Sequence, residues 1–254
     1  MDAGSAARIA RLAVPHADAD VPAVRVLEIG AGTGQLTRAL LALGAPTFAI
    51  EIDAEMVRVL RDDPQLRAAA LLQADAMAFD YAAFAASGPW IAAGNLPYNV
   101  ATPLIVRLVE MREGPQRLVV TIQKDVADRL AARPGTKAYG SLSVAVQYAM
   151  EVERAFSLGP GAFYPRPKVD STVVLLRRRD RPAAAVRDEA WFRQVVRAAF
   201  AYRRKTLANS LSLALTVPRA AVAGALQSLD IDPEIRGEQL DIADLARLAD
   251  ALGT

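Results

Sequence analysis

The sequence predicts an α/β protein in which a parallel sheet carries helices on both faces and an all-helical region follows it. Two patterns lead to this fold class. Apolar, often β-branched runs alternate with amphipathic segments through the first half of the chain, as in strands joined by crossover helices. Beyond an arginine-rich stretch at 177–185, the hydrophobic periodicity is helical only.

The first five elements alternate between helix and strand. A short helix is expected around Ser5–Ala13. The run V-R-V-L-E-I predicts a strand at Val24–Ile29, because it is β-branched and ends in glycines, as buried strands do. A helix over Thr37–Leu43 and a strand at Pro46–Ile52 follow, and the next amphipathic segment predicts a helix over Ala54–Leu60.

The same alternation continues toward the middle of the chain. Short apolar runs predict strands at Ala70–Gln73 and Trp90–Ala93. A helix from Pro103 to Met111 precedes a strand at Arg117–Gln123, and a helix over Lys124–Ala131 comes next. The pattern therefore favours a doubly wound sheet.

The C-terminal part of the chain changes from alternating strands and helices to helices only. Ser143–Tyr148 fits either a helix or a strand, and the stretch R-R-R-D-R-P-A-A-A at 177–185 resembles a linker. Four helices are predicted beyond it, over Glu189–Tyr202, Lys205–Leu213, Ala220–Leu229 and Leu240–Leu252. We expect two domains, 1–182 and 183–254.

Composition excludes several kinds of site. The chain has no cysteine, which excludes disulfides, thiolate catalysis and cysteine-ligated metals, and no metal is expected. Its single histidine, His16, lies in a predicted loop without a partner motif, so a His–Asp triad is not expected. The uncharged stretch 81–106 contains prolines and glycines that would break a membrane-spanning helix. Because the N-terminus also lacks a signal peptide's apolar region, a soluble cytoplasmic protein is expected.

Charge is unevenly distributed along the chain. The formal net charge is +2, but residues 1–110 hold 8 basic and 12 acidic residues, whereas residues 111–254 hold 22 and 16. Between Arg166 and Lys205 there are 12 basic and 4 acidic residues. This concentration favours a polyanionic partner for the C-terminal half, although a solvated basic face is an equal alternative on charge alone.

A glycine-rich turn follows the first predicted strand. It runs from Glu28 through Gly30, Gly32 and Gly34, directly before a helix. Glycines allow a sharp turn and let a ligand approach the backbone and the helix N-terminus, so the motif predicts a nucleotide-cofactor site. The spacing is G-x-G-x-G, with Gln35 where the dinucleotide fingerprint would have its third glycine.

Two acidic residues follow the second and third strands. Glu51 stands 21 residues after Gly30, where a carboxylate can accept hydrogen bonds from both hydroxyls of a ribose. The adjacent Asp53 fits helix capping better. Asp75, in Q-A-D-A, could accept a hydrogen bond from an adenine amino group, or could be a turn residue.

The segment N-L-P-Y follows the fourth predicted strand. The exocyclic nitrogen of adenine is a poor nucleophile, because its lone pair is delocalised into the ring. Acceptors at both of its protons, the Asn95 side chain and the Leu96 carbonyl, would favour a pyramidal nitrogen aimed at a methyl donor. Pro97 fixes the turn, and Tyr98 offers a ring on which the base can stack.

These motifs resemble those of the adenine-N6 ribosomal RNA dimethyltransferases, as shown by E-I-G-A-G-T-G-Q-L-T, E-I-D, Q-A-D-A and N-L-P-Y-N-V-A-T-P-L. Three further segments are most similar to the bacterial enzymes that dimethylate two adjacent adenines of small-subunit (16S) RNA. They are Q-K-D-V-A-D-R-L-A-A-R-P-G-T-K-A-Y-G-S-L-S-V, F-Y-P-R-P-K-V-D-S and R-R-K-T-L-A-N-S-L. The similarity covers about residues 5–215 and is weaker to the macrolide-resistance enzymes that act on large-subunit RNA.

The resemblance implies a seven-stranded, Rossmann-like S-adenosylmethionine methyltransferase sheet with a small helical C-terminal domain. It implies that the cofactor is bound by Glu28, Gly30, Gly32, Gly34, Glu51, Asp75 and Asn95. It places Asn95, Leu96, Pro97 and Tyr98 at the target amine. Phe163 would stack on the flipped base, although it could equally be a core aromatic beside a proline-rich loop.

The resemblance also implies an RNA partner. We expect small-subunit ribosomal RNA in the pre-30S particle to be bound by a monomer through Arg166, Lys168, Arg203, Arg204 and Lys205. Two departures from the family pattern stand out. Val100–Ala101 replaces Ile-Ser, and the family's basic stretch and F-G-Q-N-F-L, which folds over the cofactor, precede a helix that here begins close to Met1.

Two other functions are possible on the sequence. A ribosome-assembly factor could keep the fold and the RNA surface but methylate weakly or not at all, and the N-terminal departure favours it. Intact N-L-P-Y and Glu51 favour the enzyme instead. A nicotinamide oxidoreductase is disfavoured by the glycine spacing and by N-L-P-Y.

Overall fold

A computed structural model describes residues 1–14 and 24–253, and it divides into two compact units. The sheet unit comprises residues 1–127 and 151–178, and the helical unit comprises 128–150 and 179–254. A single division after residue 182 therefore differs from the structure, which groups residues 128–150 with the C-terminal helices. His16 lies outside the described residues.

The sheet has seven strands in the order β3-β2-β1-β4-β5-β7-β6. Its strands are β1 (Arg25–Ile29), β2 (Thr47–Glu51), β3 (Ala70–Gln73), β4 (Trp90–Asn95), β5 (Arg117–Gln123), β6 (Met150–Leu158) and β7 (Ser171–Arg178). Strands β1 to β5 pair in parallel, and β7 runs antiparallel to β5. The predicted α/β class with a seven-stranded sheet is confirmed, and the sheet is mixed because β7 is antiparallel to β5.

Eleven helices are found in the described residues. They are α1 (Ala3–Ala13), α2 (Gln35–Ala42), α3 (Ala54–Asp62), α4 (Tyr81–Ala85), α5 (Tyr98–Glu110), α6 (Lys124–Leu130), α7 (Ser141–Ala149), α8 (Glu189–Ala201), α9 (Leu207–Leu215), α10 (Arg219–Ser228) and α11 (Ile242–Leu252). The ambiguous segment Ser143–Tyr148 is helical, and α5 begins five residues before the predicted start at Pro103.

The predicted linker at 177–185 is wrong at its start. Arg177 and Arg178 are the last residues of β7. The Arg178 guanidinium donates hydrogen bonds to the carbonyls of Leu108 and Pro115, both at 3.1 Å, and burial lowers its pKa. An arginine that donates to backbone carbonyls in this way has a structural role, although the arginine-rich sequence around it suggests a solvated segment.

The helical unit has its own apolar core. Residues of α7, α8, α9 and α11 supply most of it, including Tyr148 and Phe192, whose rings lie 4.7 Å apart. Arg203, Arg204 and Lys205 lie in the turn between α8 and α9, because α9 begins at Leu207 and not at the predicted Lys205. The R-R-K sequence therefore belongs to a connection, not to a helix.

Strands β1 and β4 approach each other closely where both end. Leu27 pairs with Ala92 and Glu28 with Ala93. One residue further, a Cβ atom on Gly94 would overlap the carbonyl oxygen of Ile29. The absence of a side chain at Gly94 is thus a condition for this pairing.

We predict that Gly94→Ala destabilises the chain, because the added methyl group meets backbone that cannot move independently of the sheet. Overpacking of this kind costs about 1–3 kcal/mol, so the melting temperature should fall by roughly 2–10 °C. Gly159→Ala is the matched control, since Gly159 has a φ of −72° and no atom within 4 Å of its Cβ position. Equal melting of the two variants would contradict the prediction.

Candidate active site

The turn between β1 and α2 is built from three glycines in the left-handed region. Gly30, Gly32 and Gly34 have φ values of 78°, 53° and 76°. A Cβ on Gly34 would lie 2.8 Å from side-chain atoms of both Leu60 and Leu66, so glycine is required there for space as well as for φ. The turn leads directly into α2, whose first N–H groups lack partners within the helix and can face an anion or a polar ligand.

Glu51, the last residue of β2, lies beside this turn. One carboxylate oxygen accepts a hydrogen bond from the N–H of Gly32 at 2.8 Å. The other accepts from the N–H groups of Ile52 and Asp53 at 2.9 and 3.1 Å. These bonds hold the carboxylate against the glycine turn before any ligand arrives, which reduces the cost of ordering it on binding.

Ile52 is a residue that the motif analysis missed. Its side chain is 64% exposed although it follows a buried strand and the candidate ribose-binding Glu51. An exposed isoleucine at the end of β2 offers an apolar surface to the face of a heteroaromatic ring. Its position directly after the strand-terminal carboxylate is the signal that could have identified it. Asp53 caps α3, as expected, by accepting from the N–H groups of Glu55 and Met56.

Glu28 is buried beneath the turn. Its side chain is covered, and a carboxylate oxygen accepts a hydrogen bond from the Thr37 hydroxyl at 2.6 Å. Burial raises the pKa of Glu28 to about 8, the Thr37 hydrogen bond opposes this, and the negative charge of Glu51 adds to it. The structure thus gives Glu28 an interior partner on α2, Thr37, which the sequence did not reveal.

Asp75 follows β3 and forms a turn. Its carboxylate accepts from the N–H of Met77 at 2.8 Å, so the turn role that the sequence left open is present. Arg107 of α5 holds the same segment, because its guanidinium donates to the carbonyls of Met77 and Phe79. Arg107 was missed, and the signal for it is that it is the first charged residue after the uncharged stretch 81–106.

The N-L-P-Y segment lies at the carboxyl end of β4. Asn95 is exposed and pairs with Thr121 of β5, and the N–H of Leu96 donates to the Thr121 carbonyl at 3.2 Å. Pro97 then caps α5, with its carbonyl accepting from Val100 and Ala101. The β1–β4 pairing places Asn95 next to the glycine turn, since a Cβ on Gly30 would lie 3.8 Å from the Asn95 carbonyl oxygen.

Tyr98 is the first residue of α5 and is 40% exposed. Its hydroxyl lies 3.3 Å from the hydroxyl of Ser171, the first residue of β7. Ser171 itself is buried and pairs with Gln123 of β5. This contact with β7 restrains the Tyr98 ring while leaving part of it open to solvent.

Phe163 lies in the loop that precedes β7. It is half-buried and packs against the apolar cluster between α1 and the sheet. The core role is therefore present, and the stacking role stays possible because part of the Phe163 side chain is exposed to solvent. Arg166 and Lys168, in the same loop, are exposed.

In the helical unit, Arg203, Arg204 and Lys205 are all exposed. Arg203 donates to the Lys137 carbonyl and lies 3.6 Å from the Glu238 carboxylate. Part of its role is thus to tie the turn after α8 to neighbouring segments of the same unit. Since Arg204 and Lys205 show no ion pair in the described part of the chain, they remain the clearest candidates for phosphate contacts.

Within residues 1–14 and 24–253, no helix combines the length and the apolarity that a membrane span requires. In the same ranges, no group of three or more acidic or histidine side chains is placed to hold a metal ion.

Comparison with known proteins identifies relatives along nearly the whole chain. The family model "Ribosomal RNA adenine dimethylase" matches residues 6–253. A protein from Hahella chejuensis named ribosomal RNA small subunit methyltransferase A is 44% identical over an alignment of 254 residues that covers 98% of this chain and 88% of that protein. The protein of the same name from Pseudomonas aeruginosa is 43% identical over 90% of this chain and 84% of its own.

Two solved structures have the same fold. A dimethyladenosine transferase from Plasmodium falciparum superposes with a TM-score of 0.79 at 25% identity, covering 97% of this chain and 94% of that one. The 23S rRNA methyltransferase ErmE has a TM-score of 0.73 at 24% identity over 100% and 99% of the two chains. At that identity ErmE supports the fold alone.

We predict that Glu28 makes stability fall as pH rises. Its folded-state pKa of about 8 exceeds the ordinary value of 4.5, so the folded chain holds a proton that the unfolded chain releases. The stabilisation is complete below pH 4.5 and is lost as pH rises toward 8, by up to about 1.4 kcal/mol per pH unit. Glu28→Gln should therefore lose less stability than the wild type between pH 5 and pH 8 in urea denaturation. Parallel losses in the two chains would contradict this.

Proposed function

The chain belongs to the ribosomal RNA adenine dimethylase family, and from this we propose that it transfers methyl groups from S-adenosylmethionine to N6 of two adjacent adenines in small-subunit ribosomal RNA. The single observation that carries the proposal is the pairing of β1 with β4. It joins a glycine turn suited to a nucleotide cofactor to the N-L-P-Y segment suited to an adenine amine.

The residues present fit the cofactor. The three left-handed glycines expose backbone to a ligand, and Glu51 is held by three N–H groups in a position from which it can accept ribose hydroxyls. We propose that Gly30, Gly32, Glu51 and Asp75 hold S-adenosylmethionine, with Ile52 against its adenine ring. Glu28 and Gly34 would act mainly by shaping the turn, since both are covered by neighbouring side chains.

The chain's contribution to the reaction is to orient the target nitrogen. Bound S-adenosylmethionine supplies a methyl group on a positively charged sulfur. The Asn95 side-chain oxygen and the Leu96 carbonyl would accept hydrogen bonds from the two N–H groups of the adenine amine. These bonds would direct the nitrogen lone pair away from the ring. Pro97 holds this turn at the start of α5, and Tyr98 and Phe163 would stack on the base.

The second methyl transfer uses the same acceptors differently. A monomethylated amine keeps one N–H, so only one of the Asn95 and Leu96 oxygens is engaged in the second step. The nitrogen loses a proton in each round, and since Asn95 is exposed, that proton can pass to solvent without a dedicated base.

For the RNA partner we propose the basic residues of both units. Arg166 and Lys168 in the sheet unit, and Arg203, Arg204 and Lys205 in the helical unit, would contact phosphates of small-subunit RNA in the pre-30S particle. We further propose that the protein works as a monomer in the cytoplasm, where the ribosomal subunit is assembled.

The proposed function is tested by incubating the chain with labelled S-adenosylmethionine and unmethylated small subunits, and then mapping the labelled nucleotides. We expect two adjacent dimethylated adenines. Asn95→Ala should slow transfer by about 100-fold or more, because it removes one acceptor from the reacting nitrogen. Asn99→Ala is the matched control, since Asn99 is also exposed and is the second residue of α5.

Near-normal turnover of Asn95→Ala would contradict its assigned role. Label transfer to large subunits in a parallel incubation but not to small subunits, or binding to small subunits without any label transfer, would instead favour the alternative functions. An assembly factor would show the second of these results.

We also predict that Glu51→Gln weakens cofactor binding by about tenfold or more, because charge-assisted hydrogen bonds to the ribose contribute about 1–3 kcal/mol. Calorimetric titration with S-adenosylmethionine measures it. Glu55→Gln, an exposed carboxylate on α3, is the control. Because Glu51 also accepts a hydrogen bond from Gly32, the melting temperatures of both variants should be measured to show that they are folded. Unchanged cofactor affinity in a folded Glu51→Gln would contradict the assignment.

A further inference from the structure

Tyr164 is the most exposed of the six tyrosines. Its side chain is 96% exposed, whereas the other five are at most 43% exposed and three are buried. A tyrosine ring is a large apolar surface that proteins more often cover or use for contact than leave in water. Exposure alone does not identify a partner, but the position and the neighbours of this residue do.

The loop that carries Tyr164 leads into the candidate active site. It ends at Ser171, which begins β7, pairs with Gln123 and contacts the Tyr98 hydroxyl. Asp170 is fixed as well, because its carbonyl accepts from the N–H of Lys124 at 3.1 Å. Since β7 is antiparallel to β5, the loop lies at the edge of the sheet where the parallel strands end and where Asn95 is found.

The backbone directs two consecutive aromatic rings differently. Phe163 has an extended conformation, with φ −126° and ψ 151°. Side chains of consecutive residues in extended backbone point to opposite sides. Phe163 accordingly packs toward the apolar cluster, and Tyr164 faces solvent.

The loop around Tyr164 contains basic residues and is restricted by prolines. Arg166 and Lys168 are exposed and are in no ion pair within the described ranges. Asp170 is the only acidic residue in 159–170. Prolines 160, 165 and 167 restrict the loop, so little conformational freedom is lost when a ligand binds.

We propose that Tyr164 is a second stacking platform, which binds the base of an unpaired nucleotide next to the target adenine, while Arg166 and Lys168 contact the phosphates on either side of it. The inference rests on the proposed function and adds a subsite to it. An aromatic ring beside cations that follow a backbone is the combination by which proteins hold single-stranded RNA without reading its sequence. The platform therefore accepts any base.

The test is a cycle in which the ring and the base are removed separately. Full-length wild type and Tyr164→Ala are titrated with a single-stranded RNA that contains the two adjacent adenines, and with copies that carry an abasic site at each neighbouring position in turn. Fluorescence anisotropy gives the dissociation constants. Stacking is sequence-tolerant and large, so the wild type should lose about 5- to 100-fold in affinity at one abasic position.

Tyr164→Ala should bind the intact RNA as weakly as the wild type binds that abasic copy, and should show no further loss with it. Tyr164→Phe should keep wild-type behaviour, because the ring remains. Lys168→Ala should weaken all the RNAs alike and reduce the salt dependence by about 0.7 log unit per log unit of salt. Val59→Ala, which truncates an exposed apolar residue of α3, should change nothing.

An equal loss for wild type and Tyr164→Ala at every abasic position would overturn the proposal. So would failure of the wild type to bind these RNAs, or a Tyr164→Ala defect that appears only when whole small subunits are titrated in the same assay, which would mean that the ring contacts a protein. Methylation by the wild type, measured in parallel, separates the two hypotheses: its absence would refute the proposed function, and the binding cycle reports on Tyr164 independently.

Discussion

The close pairing of β1 with β4 is possible only because residue 94 has no side chain, and the geometry of the site follows from it. Where the two strands end, the glycine turn after β1 and the N-L-P-Y segment after β4 are brought side by side. In the proposed function, the first segment binds the cofactor and the second binds the target base. The backbone hydrogen bonds of the sheet hold them in register, so the relative position of the two half-sites depends on sheet pairing and not on flexible side chains.

Two carboxylates near the glycine turn have opposite surroundings. Glu51 at the end of β2 accepts three backbone N–H bonds and keeps an exposed edge, which suits a charged group that meets ligand hydroxyls. Glu28 is covered and bonded to Thr37, so burial favours its neutral form. One carboxylate is thus suited to binding and the other to supporting the turn.

The basic residues are also divided between structure and contact. The Arg178 guanidinium donates hydrogen bonds to backbone carbonyls of the sheet unit. Arg203 donates to the Lys137 carbonyl and lies near the Glu238 carboxylate in the helical unit. Arg166, Lys168, Arg204 and Lys205 stay exposed. A count of charge along the chain combines these groups, whereas the second group has fewer competing protein contacts and is better suited to neutralise phosphates.

Sequence alone determined the fold class, the order of most strands and helices, and the residue types of the site, because hydrophobic periodicity and short motifs are local properties. It could not predict three contacts of the site, because each joins residues that are far apart or on different elements. They are the hydrogen bond from Thr37 to Glu28, the bonds from Arg107 to the turn after Asp75, and the contact between Ser171 and Tyr98. Nor could it separate Arg177 and Arg178 from a linker or group residues 128–150 with the C-terminal helices. Those outcomes depend on which carbonyls and apolar faces remain to be satisfied once the sheet has formed, and only the tertiary structure decides that.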